Sequence, residues 1–432
     1  MKLDAPENPN YAASVVQVSS MIPLENSDNL LGLQFFGYQA IVNKDMDIQV
    51  GDLGILFTAE SQLSEEYTRM NNLFRHSDLN NDETEQGYLE DSRRVRAIKL
   101  RGNRSDALFM PLSSLDYLGV DTSDLKVGDQ FSGINGREIV RKYLIKQPGV
   151  ARINKNSQPK FRRVDDKMLP LHFDTENYFR NRDQIPDDAE IIVTQKLHGS
   201  SVRIGNTVVK RKLSWLERLA KRVGIKVAET EYDHVYGSRK VVKDPNNPDQ
   251  NHYYETSTGI DLWTEAGRKL DSVIPKGYLV YGELIGWTPD GSPIQKNYTY
   301  DLPNGQYELY VYRVATINPD GVVNDLSWDQ VKKFTERAGI KHVPELWRGT
   351  HDEFVAEEWM DIGYGVEYVK SPGFYAERPV PLSDANSVDE GVVIRTDVGA
   401  APYLLKAKSP VFLAHETKML DQEVVDIESE QS

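Results

Sequence analysis

The chain contains no cysteine among its 432 residues. This absence excludes disulfide bonds and thiolate zinc sites, and it leads us to expect a protein of the reducing cytoplasm. Long hydrophobic runs are also missing, since no stretch approaches the roughly 20 apolar residues of a membrane-spanning helix. The N-terminus, MKLDAPENPN, has no apolar segment of the kind that directs secretion. We therefore expect no membrane partner and no secretory route.

Positive charge is in deficit. The chain has 51 lysine and arginine residues against 66 aspartate and glutamate residues, which gives a formal net charge of −15 at pH 7. Proteins that bind nucleic acid through overall charge are basic, so such binding here would depend on local patches. Two segments qualify, 93–101 and 210–226, and Glu217 is the one acid among seven basic residues in the second. A solvated charged face explains either segment when it is considered alone.

Two common signatures are absent as well. The sequence has no phosphate loop of the form GxxxxGKS or GxxxxGKT, and no HExxH helix or paired-histidine metal site. Nucleotide binding through a phosphate loop therefore has no support, nor does a histidine metal centre.

The first third of the chain is β-rich. Short apolar runs at 13–18, 33–36, 54–57 and 95–100 alternate with Gly, Asn and Asp, which predicts a small barrel or sandwich. A polar segment at 59–92 predicts a long loop with one or two helical turns. Residues 151–168 mix Pro, Asn, Lys and Arg without an apolar period, so we predict a linker there, between a β domain over 1–150 and a second domain over 169–432.

The second domain alternates between helical and strand patterns. Apolar spacing predicts helices at 213–223, 258–274 and 327–338, the first of them basic and amphipathic, and Ser327 and Gly339 suit the two ends of the third. Runs rich in Val, Ile, Leu and Tyr predict strands at 278–285, 307–315, 391–396 and 402–407. The acidic end from Asp421 is expected to fray. The whole pattern predicts an α+β protein.

Charged residues interrupt several of these apolar strands. Lys196 follows IIVTQ, Glu283 lies within LVYGELIG, Glu390 opens EGVVIR, and Lys406 and Lys408 lie in YLLKAK. Each alone suits a half-exposed strand, but five such charges in core-like strands require each other to be tolerated. Strand alternation places both late lysines on one face. The set suits a nucleophile, metal-binding carboxylates and cations for a phosphate.

These segments resemble, in order, motifs I, III, IV and V of the covalent nucleotidyltransferase superfamily of ligases and capping enzymes. The four segments begin at Lys196, Tyr281, Glu390 and Leu405; GSRK at 237–240 resembles motif Ia, and ELYVY at 308–312 occupies the place of motif IIIa. The resemblance covers about 195–410. The KxHG form and the preceding β domain are similar to Naegleria-type RNA ligases and their phage and bacterial relatives. This resemblance implies an OB-like barrel, followed by a nucleotidyltransferase domain of ATP-grasp-like antiparallel sheets with flanking helices.

The resemblance implies a role for each motif residue. Lys196 would attack the α-phosphate of ATP to form lysyl-AMP, and partial burial would keep some of its amine neutral. Lys406 and Lys408 would contact that phosphate, and Glu390 would bind a divalent metal, Mg²⁺ or Mn²⁺. Glu283 would contact the ribose or a metal-bound water.

The resemblance also implies that other positions contact the nucleotide or the RNA. Arg239 would position the ribose or the RNA 5′-phosphate end. Either Tyr310 or Tyr312 would stack on adenine, unless both pack in the core. The further nucleotide-binding candidates are Gln195, Leu197, His198, Gly199, Ser201 and Arg203. At Ser201 the relatives carry Asn or Arg, a departure for which Arg203 compensates, and His198 suits a structural role almost equally well. The basic helix offers Arg218, Lys221 and Arg222, together with segment 93–101, as RNA contacts.

We therefore predict a monomeric, ATP-dependent RNA ligase for RNA repair, which joins 3′-hydroxyl and 5′-phosphate ends through lysyl-AMP and an adenylylated RNA 5′ end. One alternative is a ligase of DNA or mixed nicks. The short sequence after motif V argues against it, because it leaves no room for the C-terminal OB domain of DNA ligases. A capping guanylyltransferase is disfavoured by the KxHG form and the domain order. A non-catalytic binding module would have a broken motif, and every reactive position here is filled.

Overall fold

The computed structural model describes residues 1–145, 163–243, 261–360, 375–399 and 401–422. Strands dominate both halves of the chain and short helices join or flank them, so the predicted α+β class is confirmed. In the described part of the chain, no helix has the length and apolar character to cross a membrane.

The N-terminal domain is built from fourteen strands and one α-helix. The helix α1 is Glu65–Met70, and it lies in the segment where the sequence predicts one or two helical turns. The strands, β1 to β14 in chain order, are Leu3–Asp4, Ala13–Gln17, Ile22–Pro23, Leu30–Phe35, Tyr38–Asn43, Leu53–Thr58, Ser61–Leu63, Ile98–Leu100, Asn103–Ser105, Ala107–Pro111, Gln130–Phe131, Gly133–Ile134, Arg137–Glu138 and Val140–Lys142.

Seven of these strands form the main sheet, in the order β11-β2-β6-β10-β5-β4-β3. The interior strand β6 reads LGILFT because both of its faces are buried: Ile55 and Phe57 pack on one side and Leu56 on the other. The hairpin between β4 and β5 turns at Phe36 and Gly37, which both have positive φ, as a two-residue hairpin turn requires.

In the described part of the second domain there are twelve further strands and six helices. The strands, β15 to β26, are Glu176–Asn177, Glu190–Gln195, Ser200–Lys210, Thr230–Ser238, Val242–Lys243, Tyr278–Gly286, Tyr307–Ile317, Val323–Asp325, Lys341–His342, Glu345–Thr350, Gly391–Thr396 and Tyr403–Lys408. The helices, α2 to α7, are Tyr178–Asn181, Trp215–Arg222, Leu262–Arg268, Trp328–Ala338, Ala356–Met360 and Pro410–Asp421. Short 3₁₀ turns lie at Pro9–Tyr11, Lys44–Met46, Ser77–Leu79, Leu112–Leu118, Asp166–Met168, Arg182–Gln184 and His351–Glu353.

The strands of this domain form two sheets. The five-stranded sheet has the order β15-β26-β25-β16-β24, and it is antiparallel except for the outer pair β15 and β26. The seven-stranded sheet has the order β19-β18-β17-β20-β21-β22, and β23 runs parallel to β21. The caps predicted for the helix at 327–338 are confirmed: the Ser327 side chain accepts from the backbone of Gln330, and Gly339 is left-handed with φ 65°.

Helix α7 connects the two domains. The Thr417 hydroxyl donates to Glu60 Oε1 over 2.6 Å and accepts from the backbone N–H of Ala97 over 3.0 Å. Asp421 forms ion pairs with Arg94 and with Arg96. The expectation that the chain frays from Asp421 is therefore wrong at that residue, because two arginines of the other domain hold its carboxylate.

The same contacts remove Arg94 from the basic patch predicted over segment 93–101, where Lys99 and Arg101 are exposed and their RNA-binding role stays a prediction. Arg94 is only 4% exposed and pairs with Glu60 as well as Asp421, so its charge is neutralised within the domain interface. Glu60 lies far from this segment in sequence and Asp421 lies at the other end of the chain, which is why the cluster looks unpaired when the sequence is read alone.

Parts of several sequence predictions lie outside the described residues, including the end that is expected to fray, from residue 423 onward. Of the linker predicted at 151–168, residues 151–162 are outside, while Met168 is buried against the seven-stranded sheet beside Val209 and Leu279. The helix predicted at 258–274 begins outside the described residues and is observed as Leu262–Arg268. The predicted domain boundary at 150 also lies there, and it stays a prediction.

Candidate active site

A cavity of about 990 Å³ lies between the two sheets of the second domain and is bordered by the N-terminal domain. Nine lysine and arginine residues and seven aspartate and glutamate residues line it. The lining therefore carries a local excess of positive charge in a chain of net charge −15. Such a cavity suits an anionic ligand of the size of a nucleotide.

Strand register brings three of the predicted residues together. Gln195, the last residue of β16, pairs with Val392, so Lys196 lies opposite Gly391, and its N–H donates to the Gly391 carbonyl over 3.0 Å. On the other side of β25, Gly391 pairs with Lys408 of β26. Two lysines that are more than 200 residues apart therefore flank the start of one strand, which is where Glu390 lies.

Glu390 is the electrostatic centre of the cavity. It is 5% exposed, and its carboxylate lies 2.7 Å from Lys196 Nζ, 3.6 Å from His198 Nδ1 and 3.9 Å from Lys408 Nζ. Burial disfavours the charged form, but the surrounding charges of Lys196, His198 and Lys408 outweigh it and lower the pKa of Glu390. The group is therefore a carboxylate at any working pH. Its Oε2 atom is buried and has no hydrogen-bond partner among the described residues.

The two late lysines line the same cavity, whereas Leu405 and Ala407 are fully buried on the opposite face, as alternation predicts. Lys408 forms an ion pair with Glu416 of α7 over 3.1 Å. Lys406 has a different environment: burial, together with the charges of Lys408 and Lys196, lowers its pKa to about 7.

Two glycines are required by close backbone approach. Gly391 has φ 136°, and a Cβ there would lie 2.0 Å from the Ala407 carbonyl oxygen. At Gly199, a Cβ would lie 2.2 Å from the carbonyl oxygen of Leu284. Gly199, one of the predicted nucleotide-binding residues, is therefore needed because the turn after Lys196 packs directly on β20.

The seven-stranded sheet contributes the polar side of the cavity. Glu283 of β20 accepts from the Gly199 N–H over 3.1 Å and from the Ser201 hydroxyl over 3.3 Å. The backbone N–H of His198 donates to the hydroxyl of Tyr300 over 2.7 Å, and its ring packs edge-on against Tyr298 with the centroids 4.7 Å apart. The turn after Lys196 is thus fixed by both its backbone and its side chains.

Three further nucleotide-binding candidates have strong structural contacts. The Gln195 amide accepts from Val380 N–H over 2.7 Å and donates to the Val380 carbonyl over 3.2 Å. Leu197 is 4% exposed within the domain core, although both residues also border the cavity. Arg203 is not part of the cavity lining, because its guanidinium donates to the carbonyls of Leu169 and Ser238 instead. It therefore does not stand in for the residue replaced by Ser201.

The structure separates the two candidate adenine-stacking tyrosines. Register between β20 and β21 shifts between Tyr281 and Gly282, which places a β-bulge at Tyr312. Tyr312 borders the cavity and its hydroxyl bonds to His172, whereas the Tyr310 hydroxyl donates to Glu308 over 2.9 Å beside a second cavity. The bulge interrupts the strand alternation between the two tyrosines, and they border different cavities.

The remaining predicted residues lie apart from one another. Arg239 borders the cavity and bonds to Asp174 Oδ1 over 3.2 Å. Helix α3, which carries Arg218, Lys221 and Arg222, contributes nothing to the cavity lining. Arg218 donates to its own Leu213 carbonyl over 3.0 Å, and Lys221 pairs with Glu229 over 2.6 Å.

Sequence reasoning missed several residues that border the cavity. Glu416 lies two turns into α7, beyond the last recognisable motif, and nothing local marks it as the partner of Lys408. From the N-terminal domain, the cavity is lined by Tyr11, Arg141 and Lys142, among others. Lys142 lies over the ring of Tyr11, 5.4 Å from its centroid. No motif signals these positions, because their place depends on how the two domains pack together.

Two antiparallel sheets that hold a lysine against a buried carboxylate, with a lysine pair on the next strand, have the arrangement expected for a covalent nucleotidyltransferase. A family model described as RNA ligase matches residues 189–408, and an OB-fold domain model matches residues 12–112. The chain belongs to the RNA ligase family. None of the curated proteins compared with it matches.

Solved structures of the Naegleria gruberi RNA ligase share the fold. The complex with pyrophosphate is 18% identical over 94% of this chain and 99% of that one, with a TM-score of 0.59. A lysine-to-alanine variant with ATP and Mn is 17% identical, covers 96% of this chain and 100% of that one, and has a TM-score of 0.56. A glutamate-to-alanine variant with AMP and Mn is 19% identical over 93% and 98%, with a TM-score of 0.58. The predicted order, an OB-like domain followed by a nucleotidyltransferase domain, is confirmed.

Proposed function

We propose that this RNA ligase uses ATP and that Lys196 carries the AMP. The amine attacks the α-phosphorus, pyrophosphate leaves, and a phosphoramidate bond links Lys196 to AMP. The AMP then passes to the 5′-phosphate of an RNA strand. A 3′-hydroxyl attacks that phosphate, which forms the phosphodiester and releases AMP. The observation that carries this proposal is the 2.7 Å pair between Lys196 Nζ and Glu390 in a cavity that also holds Lys406 and Lys408.

The ion pair explains how the nucleophile is held before the reaction. Lys196 is 24% exposed, and Glu390 holds its amine at the end of β16, where its reach and direction are fixed. An ammonium group cannot attack, so the amine must lose its proton and its contact with Glu390. Any ligand that occupies Glu390 competes for its carboxylate and so weakens that contact.

The residues present fit a single hard cation. Among the described residues, no group of three or more His, Asp or Glu side chains is placed to hold a metal. Mg²⁺ is commonly held by one or two carboxylates together with water and substrate phosphates. The Oε2 atom of Glu390, which lies 3.6 Å from His198 Nδ1 and accepts no hydrogen bond from the described residues, is a suitable ligand. Glu390 would hold the ion, with Glu283 in reach of the ribose or of a metal-bound water. When bound, such a cation withdraws charge from the phosphate oxygens.

The lysine pair supports the phosphate side of the reaction. Lys406 and Lys408 project from one strand face into the cavity, where their charges can stabilise the negative charge that develops at the α-phosphate. Arg239, on the neighbouring sheet, is placed to hold the ribose or the RNA 5′-phosphate. The base then lies against the wall of His172 and Tyr312.

Label transfer from ATP tests this function directly. Incubation with ATP labelled at the α-phosphate and a divalent cation should give acid-stable, hydroxylamine-sensitive label on the wild type and none on Lys196→Ala. Labelled GTP run beside it tests the capping alternative. Nicked RNA, nicked DNA and free RNA ends then show which ends are joined. A wild-type protein that acquires no label from ATP contradicts the proposal.

A further inference from the structure

Helix α3 lies at the end of a long hairpin that starts in the cavity. Strand β17 is covered by β20 only from Ser200 to Asn206, and beyond that point it pairs with β18 alone as far as Lys210. At about 3.3 Å per residue, the nine steps from Ser201 to Lys210 span roughly 30 Å. The hairpin therefore connects a cavity residue to a helix that lies well outside the cavity.

The apolar side of α3 faces solvent. The exposed fractions are 71% at Trp215, 57% at Leu216, 52% at Leu219 and 69% at Val223, and Ile225 follows at 58%. Trp215, Leu219 and Val223 recur every four residues, so they form one stripe along the helix. Amphipathic helices normally bury such a stripe, and a cluster of exposed apolar residues of this kind marks a binding surface.

Basic side chains border the stripe. Arg218 and Arg222 follow Trp215 by three and seven residues, which places both beside the ring on one side of the helix. Segment 210–226 contains seven basic residues and one acid, in a chain of net charge −15. The Glu217 carboxylate is already engaged, because it closes the capping box with Ser214 and pairs with Arg211 over 2.7 Å.

We propose that this surface, composed of Trp215, Leu219, Val223, Arg218 and Arg222, binds an unpaired stretch of the RNA substrate about 30 Å from the reaction centre. The proposal rests on the function proposed above. Arginines track the phosphates of a single strand while its splayed bases stack on an exposed aromatic ring and adjoining apolar side chains. A fully paired strand hides its base faces and would use the arginines alone.

The span of the hairpin makes this proposal sensitive to RNA length. A stacked strand spans roughly 3.4 Å per nucleotide and a strand with splayed bases roughly twice that, so 30 Å corresponds to about five to nine nucleotides. A strand that ends within about three nucleotides of the junction therefore cannot reach α3, whereas a strand of about 24 nucleotides can. Binding and joining are therefore measured with short and long single-stranded arms on each side of the junction.

Trp215→Ala is the principal variant. It should weaken binding of the long RNA about five- to 150-fold, since stacking of one base contributes about that much. It should leave binding of the short RNA and the labelling of Lys196 unchanged, and Trp215→Phe should restore most of the lost binding. Arg222→Glu should weaken binding of the long RNA and reduce the salt dependence of that binding. The matched controls are Val322→Ala, at a residue 56% exposed outside the hairpin, and Lys126→Glu on the N-terminal domain.

Several results would overturn the proposal. One is that Trp215→Ala binds the long RNA as well as the wild type does. Another is that this variant loses binding equally for short and long RNA, or equally for paired and unpaired arms. A dimer in gel filtration, or binding to phosphatidylserine vesicles, that depends on Trp215 while RNA binding does not would assign the surface to another partner. Since RNA binding is measured without ATP, a protein that fails to label at Lys196 refutes the proposed function and still leaves the surface tested.

Discussion

The two sheets that enclose the cavity differ in what they contribute. The five-stranded sheet supplies Lys196, Glu390, Lys406 and Lys408, and register places Lys196 and Lys408 at 2.7 Å and 3.9 Å from the Glu390 carboxylate. The seven-stranded sheet supplies hydroxyls, aromatic rings and Arg313 together with Glu283, whose carboxylate is tied to the turn after Lys196. Under the proposed function, the first sheet acts at the phosphorus and the second holds the nucleotide.

This difference teaches which substitutions should affect rate and which should affect affinity. Losses on the five-stranded sheet should appear in the rate of Lys196 labelling at saturating ATP. Losses on the seven-stranded sheet should appear mainly as an increase in the ATP concentration that gives half-maximal labelling.

The largest effect is expected at the centre of the charged sheet. Glu390→Gln removes the carboxylate while it keeps the shape, and it should slow labelling at saturating ATP about 100-fold or more, the cost of losing one preorganised electrostatic contact. Glu283→Gln is the paired change on the other sheet and should act mainly on the ATP requirement. Single-turnover labelling over a range of ATP concentrations separates the two. An equal loss of rate in both variants would remove the distinction between the sheets.

A smaller effect is expected at the aromatic wall. Tyr312→Ala should raise the Kd for ATP roughly two- to twelvefold through loss of ring stacking, whereas Tyr312→Phe keeps the ring. Tyr310→Phe, on the same strand beyond the bulge, loses only its bond to Glu308 and serves as the control. Equilibrium binding in the absence of RNA measures this. A larger change in Kd from Tyr310→Phe would place the base on the other side of the bulge.

Glu416→Gln should have a modest effect on rate. The change weakens the 3.1 Å pair with Lys408 and frees that amine to move, which should slow labelling roughly two- to fivefold, as expected for a partly exposed ion pair. Glu336→Gln, on an exposed face of α5, is the control. The loss should appear in the rate and leave the Kd for ATP unchanged. The opposite pattern would mean that Glu416 acts on nucleotide binding.

The smallest signal is a proton. Because the pKa of Lys406 is lowered to about 7, this amine is mostly neutral at pH 8 in the free protein. Phosphate groups placed beside it raise its pKa again, so nucleotide binding at pH 8 should take up as much as about one proton, and less as the pH falls below 7. Calorimetry with a non-reactive ATP analogue in buffers of different ionisation enthalpy measures this uptake. Lys406→Met should abolish it, and an uptake that persists in this variant would assign the proton elsewhere.

The charged strands were predictable because each motif contains its own signal. A lysine or glutamate within a run such as LVYGELIG is costly to bury, so it marks a site, and alternation then places Lys406 and Lys408 on one face. The bounds of β25 and the two caps of α5 followed from equally local patterns.

What could not be predicted depends on long-range packing. The bulge at Tyr312 is visible only once β20 and β21 are aligned. The pairing of Arg94 with Glu60 and Asp421 joins residues that are far apart in the sequence, so Arg94 looked available for RNA when it was not. The absence of Arg203 from the cavity could not be predicted for a similar reason, since the carbonyls that accept from its guanidinium belong to distant segments.

Helix α7 has a mechanical consequence. It begins directly after the strand that bears Lys408, while its far end is anchored in the N-terminal domain through Thr417 and Asp421. Any rotation of one domain relative to the other must therefore displace α7, and with it the strand end that positions the Lys408 amine. The second domain produced alone would lack the contacts that hold the far end of α7, so it should be a poorer catalyst even with every motif residue intact.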